Sequence, residues 1–199
     1  MKTNLIAIFT VVVTVLGIAN STQAAVNNNN NAGVVLTDIS KINKIEIYGN
    51  VKVYVSNGDA DQVKVYNRYY SESALVQSRN GVLRISSYKA EKLEVWVTAK
   101  ELNAITAYDN AEVKSFGNLS AIELDVKLYN NASADLKLDA FSAAVTMNDK
   151  TRANLSGNVS EYSLNRSVAS SVNRTHLVVD HSTEVTNGIK AKASEYAFL

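Results

Sequence analysis

The chain has 199 residues, with 20 Lys plus Arg against 19 Asp plus Glu, and neither Cys nor Pro. So even a balance lacks the basic excess that would hold nucleic acid or an anionic membrane, and without Cys there are no disulfides, thiolate metal sites or thiol nucleophiles. The lack of Pro suits a long hydrogen-bonded ladder, because each Pro would remove a ladder donor.

Residues 1–25 read as an export signal: Lys2, an apolar run from Leu5 to Ile18, and Thr22-Gln23-Ala24-Ala25 with small residues at the cut, after Ala24 or Ala25. About 14 apolar residues fall short of the roughly 20 needed to cross a bilayer, so no transmembrane segment is expected after cleavage. Five consecutive Asn, 27–31, mark residues 26–38 as a flexible leader. One domain, 39–199, follows.

Ile45 and Ile47 lead into Tyr48-Gly49-Asn50, after which Val51, Val53 and Val55 alternate with polar or aromatic residues, the period of a half-buried strand. A turn at 56–61 predicts an antiparallel hairpin with Val63 and Val65, setting Tyr54 against Tyr66 and Val55 against Val65. Asn80-Gly81 predicts a second hairpin. Leu93, Val95 and Val97 then alternate with Glu94, Trp96 and Thr98. This first part reads as a β meander.

From Leu102 to Val185 a short polar step between apolar runs recurs five times, at Tyr108-Asp109-Asn110, Tyr129-Asn130-Asn131, Met147-Asn148-Asp149, Leu164-Asn165-Arg166 and Val179-Asp180-His181. The spacings are 21, 18, 17 and 15 residues, suited to coils of a β-solenoid that taper toward the C-terminus. One predicted column is Ala107, Leu128, Met147, Leu164 and Val179; another is Ala111, Ala132, Thr151, Val168 and Thr183; a third is Val113, Ala134, Ala153, Ser170 and Val185. The last segment, ending in Tyr196, Phe198 and Leu199, reads as a closing strand over the open end. The expected fold is all-β, a meander running into a single-stranded parallel β-helix, right-handed like most of its kind.

The export signal, Ile47-Tyr48-Gly49-Asn50-Val51-Lys52-Val53, the turn Asn57-Gly58-Asp59, Asn80-Gly81-Val82-Leu83-Arg84-Ile85 and the punctuated repeats together resemble the putative auto-transporter adhesin, head GIN family. That family comprises exported proteins abundant in Bacteroidota, once known only as a domain of unknown function. The resemblance spans about residues 39 to 190 and implies a β-solenoid at the cell surface or in the periplasm. Family members often carry Gly-x-Gly at the step, where this chain has Asp109-Asn110-Ala111, Asn130-Asn131-Ala132 and Asn148-Asp149-Lys150.

Those departures create a candidate polar stripe, Asp109, Asn130, Asp149, Arg166 and His181, stacked about 4.8 Å apart and able to bind sugar hydroxyls or a cation. The alternative is a turn ladder of Asn and Asp, for which Asp109, Asn130, Asn148, Asn165 and Asp180 align as well. A second candidate is the cluster Tyr66, Asn67, Arg68, Tyr69 and Tyr70, where rings and a guanidinium suit sugar faces or a protein partner. Trp96 reads as packing. Asp149, Arg166, Asp180 and His181 are the residues a β-helix carbohydrate enzyme would need, but no nucleophile motif accompanies them. His176, His181 and Asp180 do not suit a metal, since strand alternation sends Asp180 and His181 to opposite faces. Six Asn-x-Ser/Thr sequons are an expected by-product of an Asn- and Ser-rich repeat. The sequence thus points to an exported, non-enzymatic binding protein without cofactor, its partner a carbohydrate or another envelope component. A structural envelope protein that assembles without a diffusible ligand is the alternative.

Overall fold

The computed structural model describes residues 34–36, 39, 41–66 and 74–187. The export signal, Asn67 to Tyr70 and the expected closing strand, 188–199, lie outside these residues. The described residues form β1 (Val34–Leu36), β2 (Lys44–Gly49), β3 (Val51–Asn57), β4 (Gln62–Tyr66), β5 (Ala74–Arg79), β6 (Val82–Ser87), β7 (Leu93–Ala99), β8 (Ala104–Ala107), β9 (Glu112–Ser115), β10 (Leu119–Leu128), β11 (Ser133–Met147), β12 (Arg152–Ser167) and β13 (Ser171–Asn187). They make one curled sheet with no helix. Val34–Leu36, within the segment read as a leader, pair antiparallel with β4.

Most of the sheet is parallel, and it is built in two-armed layers. β2 and β3 are the arms of one layer, joined at a corner where Gly49 takes φ +82°. β6 with β7 and β8 with β9 form equivalent layers, β10 is the first arm of the next, and from β11 onward one long bent strand supplies the second arm of one layer and the first arm of the following one. Leu119 lies beside Leu138 and Ser133 beside Arg152, an offset of 19 residues, against 21 from Glu112 to Ser133 and 20 from Ser156 to His176.

The N-terminal part is not a meander. β2 pairs in parallel with both β6 and β8, and β3 with both β7 and β9, so the β2–β3 layer lies between layers that follow it in sequence. The expected β3–β4 hairpin does not form, because β7 separates the two strands. The parallel β3–β7 register sets Val51, Val53 and Val55 beside Leu93, Val95 and Val97, all of them buried. That aliphatic pairing outweighs the local turn preference. Asp61 secures the skipped connection, its carboxylate accepting from the backbone N–H groups of Ile42 at 3.0 Å and Lys100 at 2.8 Å. Asn80-Gly81 does close a hairpin between β5 and β6, with both residues at the positive φ that a two-residue primed turn requires.

The first three of the five predicted steps fall at corners, and the last two do not. Corners at Asp109, Asn130 and Asp149 all have φ near 60°, but the next corner is Val168-Ala169, and Asn165-Arg166 and Asp180-His181 lie inside β12 and β13. There Ser170 N–H donates to Ser167 O at 3.2 Å, with no left-handed residue at Val168. Val cannot take that conformation cheaply, so the corner changes turn type and loses its Asn/Asp signature. Correct alignment puts Arg166, not Leu164, after Met147, and Ser170, not Val168, after Thr151. The layers keep their length and do not taper.

The core is a set of inward columns. One reads Leu83, Ile45, Ile105, Val126, Val145 and Leu164, all buried. In a parallel ladder paired residues point to the same face, so the next member, Glu184 beside Leu164, turns inward as well. Arg166 follows Met147 inward, and its Nε donates to Glu184 Oε1 at 2.9 Å while Arg174 donates to Glu184 Oε2 at 3.0 Å. An ion-paired cluster thus lies over the apolar interior at the β13 end.

Candidate binding surface

The polar stripe resolves into a shorter ladder. Asp109, Asn130 and Asp149 stack at successive corners: Asn130 Nδ2 donates to Asp109 Oδ1 at 2.9 Å, and Asn130 N–H donates to Asp149 Oδ2 at 3.0 Å. Asp109 Oδ2 also accepts from Gly49 N–H and from the Tyr88 hydroxyl. These side chains are occupied in holding corners at positive φ. Arg166 and His181 do not join them: Arg166 binds Glu184, and His181 lies on the exposed outer side beside Glu161. Residues suited to an enzymatic site, Asp149, Arg166, Asp180 and His181, are therefore spread over a corner, an inward column and an outer bend. Among the described residues no three His, Asp or Glu gather as a metal ion would need.

The other candidate is reshaped rather than dispersed. Parallel pairing sets Tyr54 on β3 beside Trp96 on β7, their rings stacked at 4.5 Å between centroids. Tyr66, at the end of β4, meets Trp96 edge-on at 6.3 Å, and Phe116, just past β9, does so at 5.2 Å. Trp96 is the hub, braced on one face by Tyr54, while Phe116 is 64% exposed and Tyr66 40% exposed. Two large rings are thus held rigidly in solvent, an apolar patch of the kind that marks interaction sites.

Charged side chains frame the rings. Lys52 Nζ sits 5.1 Å from the centre of the Tyr54 ring, a cation–π contact, and its ammonium is held above its ordinary range by the bond to Tyr54. Lys92 bonds Glu112, which holds that carboxyl below the ordinary carboxylate range against the opposing effect of burial. Lys64 is level with Trp96 on β4.

Of the residues expected here, Tyr66 is in place, while Arg68, Tyr69 and Tyr70 lie outside the described residues. The sequence reading missed Tyr54 and Phe116 as site residues and took Trp96 for packing alone. The available signal was an aromatic at the outward position of three strands, Tyr54, Tyr66 and Trp96, each two residues from a charged outward neighbour. What it lacked was the strand order that brings them together.

A second aromatic group has a different character. Tyr48, Tyr108 and Tyr129 stack with centroid distances of 4.7 and 4.8 Å and planes within 8°. Their faces are spent on one another. Beside them Glu46 accepts from Arg84 Nε at 2.7 Å and pairs with Lys44 at 2.8 Å. Burial pushes its carboxyl up, yet these two cations hold it below the ordinary range.

Residues 41–194 match the family described as "Putative auto-transporter adhesin, head GIN domain". Among solved structures, a putative adhesin from Parabacteroides distasonis superposes with a TM-score of 0.57 at 16% identity, over 78% of this chain and 77% of that one. Putative adhesins from Bacteroides fragilis and Parabacteroides merdae are more distant, with TM-scores of 0.45 and 0.43 at 15% and 13% identity; they cover 77% and 81% of this chain and 94% and 98% of their own. No curated protein matches the chain.

Proposed function

Because the chain belongs to the family of putative auto-transporter adhesin, head GIN domains, we propose that it is an exported, non-enzymatic protein that binds carbohydrate of a cell envelope through the Trp96-centred surface. The observation that carries this is the exposure of Phe116 and Tyr66 around a braced Trp96. Rigid aromatic rings in solvent stack on the C–H faces of sugars at little entropic cost, and Lys52, Lys64 and Glu94 supply hydroxyl partners at the rim. We also read the layers as coils of a right-handed parallel β-solenoid, a reading supported by their near-regular offset of 19 to 21 residues from β8 onward.

Trp96 is the single tryptophan, so its fluorescence reports directly on this surface. The test is binding of residues 26–199 to a broad array of glycans and envelope polysaccharides, followed by Trp96 fluorescence with each positive ligand. Selective binding that Phe116→Ala and Tyr66→Ser abolish, with an unchanged far-UV circular dichroism spectrum, supports the proposal; an array without binding sinks it. One observation favours a structural envelope role as the second reading: β13 is a 17-residue strand whose outer edge is unpaired among the described residues. Concentration-dependent assembly without glycan binding would favour that role.

A further inference from the structure

We propose that the aromatic surface is one end of a track that takes an extended, linear, uncharged polysaccharide laid across the strands, roughly one sugar unit per strand; this rests on the carbohydrate reading above. Trp96, Tyr54, Lys114, Asp135, Asn154 and Asn173 occupy one outward row on six adjacent strands, β7, β3, β9, β11, β12 and β13. Neighbours in such a row are about 4.8 Å apart, close to the length of one pyranose unit in an extended chain. The row begins at Trp96 and Tyr54, stacked on each other, with the exposed Phe116 ring beside them to take a sugar face. It continues with side chains that donate to and accept from hydroxyls: Asn154 Nδ2 donates to Asp135 Oδ1 at 2.9 Å, and Asn173 Oδ1 accepts from Thr175.

Charge along the row favours a neutral chain. Lys114 lies 4.0 Å from Asp135, so its single cation is offset by its single anion. Asp135, Asn154 and Asn173 are exposed, and none of their hydrogen bonds holds a corner at positive φ, as those of Asp109, Asn130 and Asp149 do. A ligand recognised by its terminal sugar alone would need only the rings. An extended chain can use both halves of the row.

The experiment titrates Trp96 fluorescence with two series of soluble oligosaccharides, β-1,4-linked glucose and β-1,4-linked N-acetylglucosamine, from two to six units. Affinity is expected to rise about tenfold or more from dimer to hexamer, and N154A/N173A should lose that gain while keeping the dimer affinity of the wild type. Phe116→Ala should weaken every length alike. Equal affinity for dimer and hexamer, or a length gain that survives in N154A/N173A, overturns the track and leaves the aromatic surface intact as a short-ligand site. Absence of binding across both series overturns the track, and the envelope array then decides the carbohydrate reading separately.

Discussion

At the β6 end of the sheet an inward column reads Leu83, Ile45, Ile105 and Val126; at the β13 end the same column reads Leu164 and then Glu184. A second column passes from Leu93 and Val51 through Ala111 and Ala132 to Thr151 and Ser170. The backbone ladder is parallel in both places and broken only by a register shift near Asn154 in β12–β13, so hydrogen bonding does little to distinguish them. What differs is how much apolar area each layer removes from water. The comparison teaches that a stacked sheet can end by changing side chains alone: Arg166, Glu184 and Arg174 give the last layer a polar surface on the side where another apolar layer would otherwise be required.

Denaturant unfolding of single variants tests this contrast. Ile105→Ala removes a fully buried side chain from the centre of its column and should cost about 4 kcal/mol. Glu184→Ala at the polar end should cost far less, and equal losses would break the comparison. Gly157→Ala should cost about 3 kcal/mol or more, since Gly157 has φ +101° and an added Cβ would lie 2.0 Å from Leu138 O. Gly117 has φ +83° with nothing within 4 Å of an added Cβ; its replacement by Ala should cost about 1 kcal/mol, for backbone strain alone.

Two smaller effects sharpen the contrast. Thr151 is fully buried and its hydroxyl has no hydrogen-bond partner among the described residues. Thr151→Val should therefore raise stability, by about 1 kcal/mol, whereas polar substitutions in a well-packed layer usually go the other way. Glu184→Gln should cost under about 1 kcal/mol near neutral pH, because the pair is partly exposed. The bond from Arg166, and behind it the charge of Arg174, hold the Glu184 carboxyl below its ordinary value of 4.5, against the effect of burial. With the folded value below the unfolded one, this stabilisation is fully present above 4.5 and fades as pH falls through the folded value. Urea midpoints between pH 6 and pH 3 should thus fall less steeply in Glu184→Gln than in the wild type.

How much of this was legible follows from which residues carried local signals. The corners at Asp109, Asn130 and Asp149 were readable because a left-handed backbone selects Asn and Asp. The corner at Val168 was not, since it takes an ordinary φ, and the nearby Asn165 imitated the missing step. Alternation identified the inward valines of β3, β4 and β7, but it is blind to which strand lies beside which. Hence the hairpin error, and hence the failure to see Trp96 meet Tyr54 and Phe116. Export and the roles of Arg68, Tyr69 and Tyr70 rest on residues beyond those the structure describes.

The position of β2 and β3 between layers that come later in the chain bears on the order of events during synthesis. Lys44 finds Ala104 beside it only when about 60 further residues have been made, so the earliest strands to emerge keep one edge unsatisfied while β4 to β7 appear. Contacts that close across such a span are slow to form. The polypeptide must carry this unfinished edge through its most vulnerable interval, and the arrival of β8 and β9 is the event that ends it.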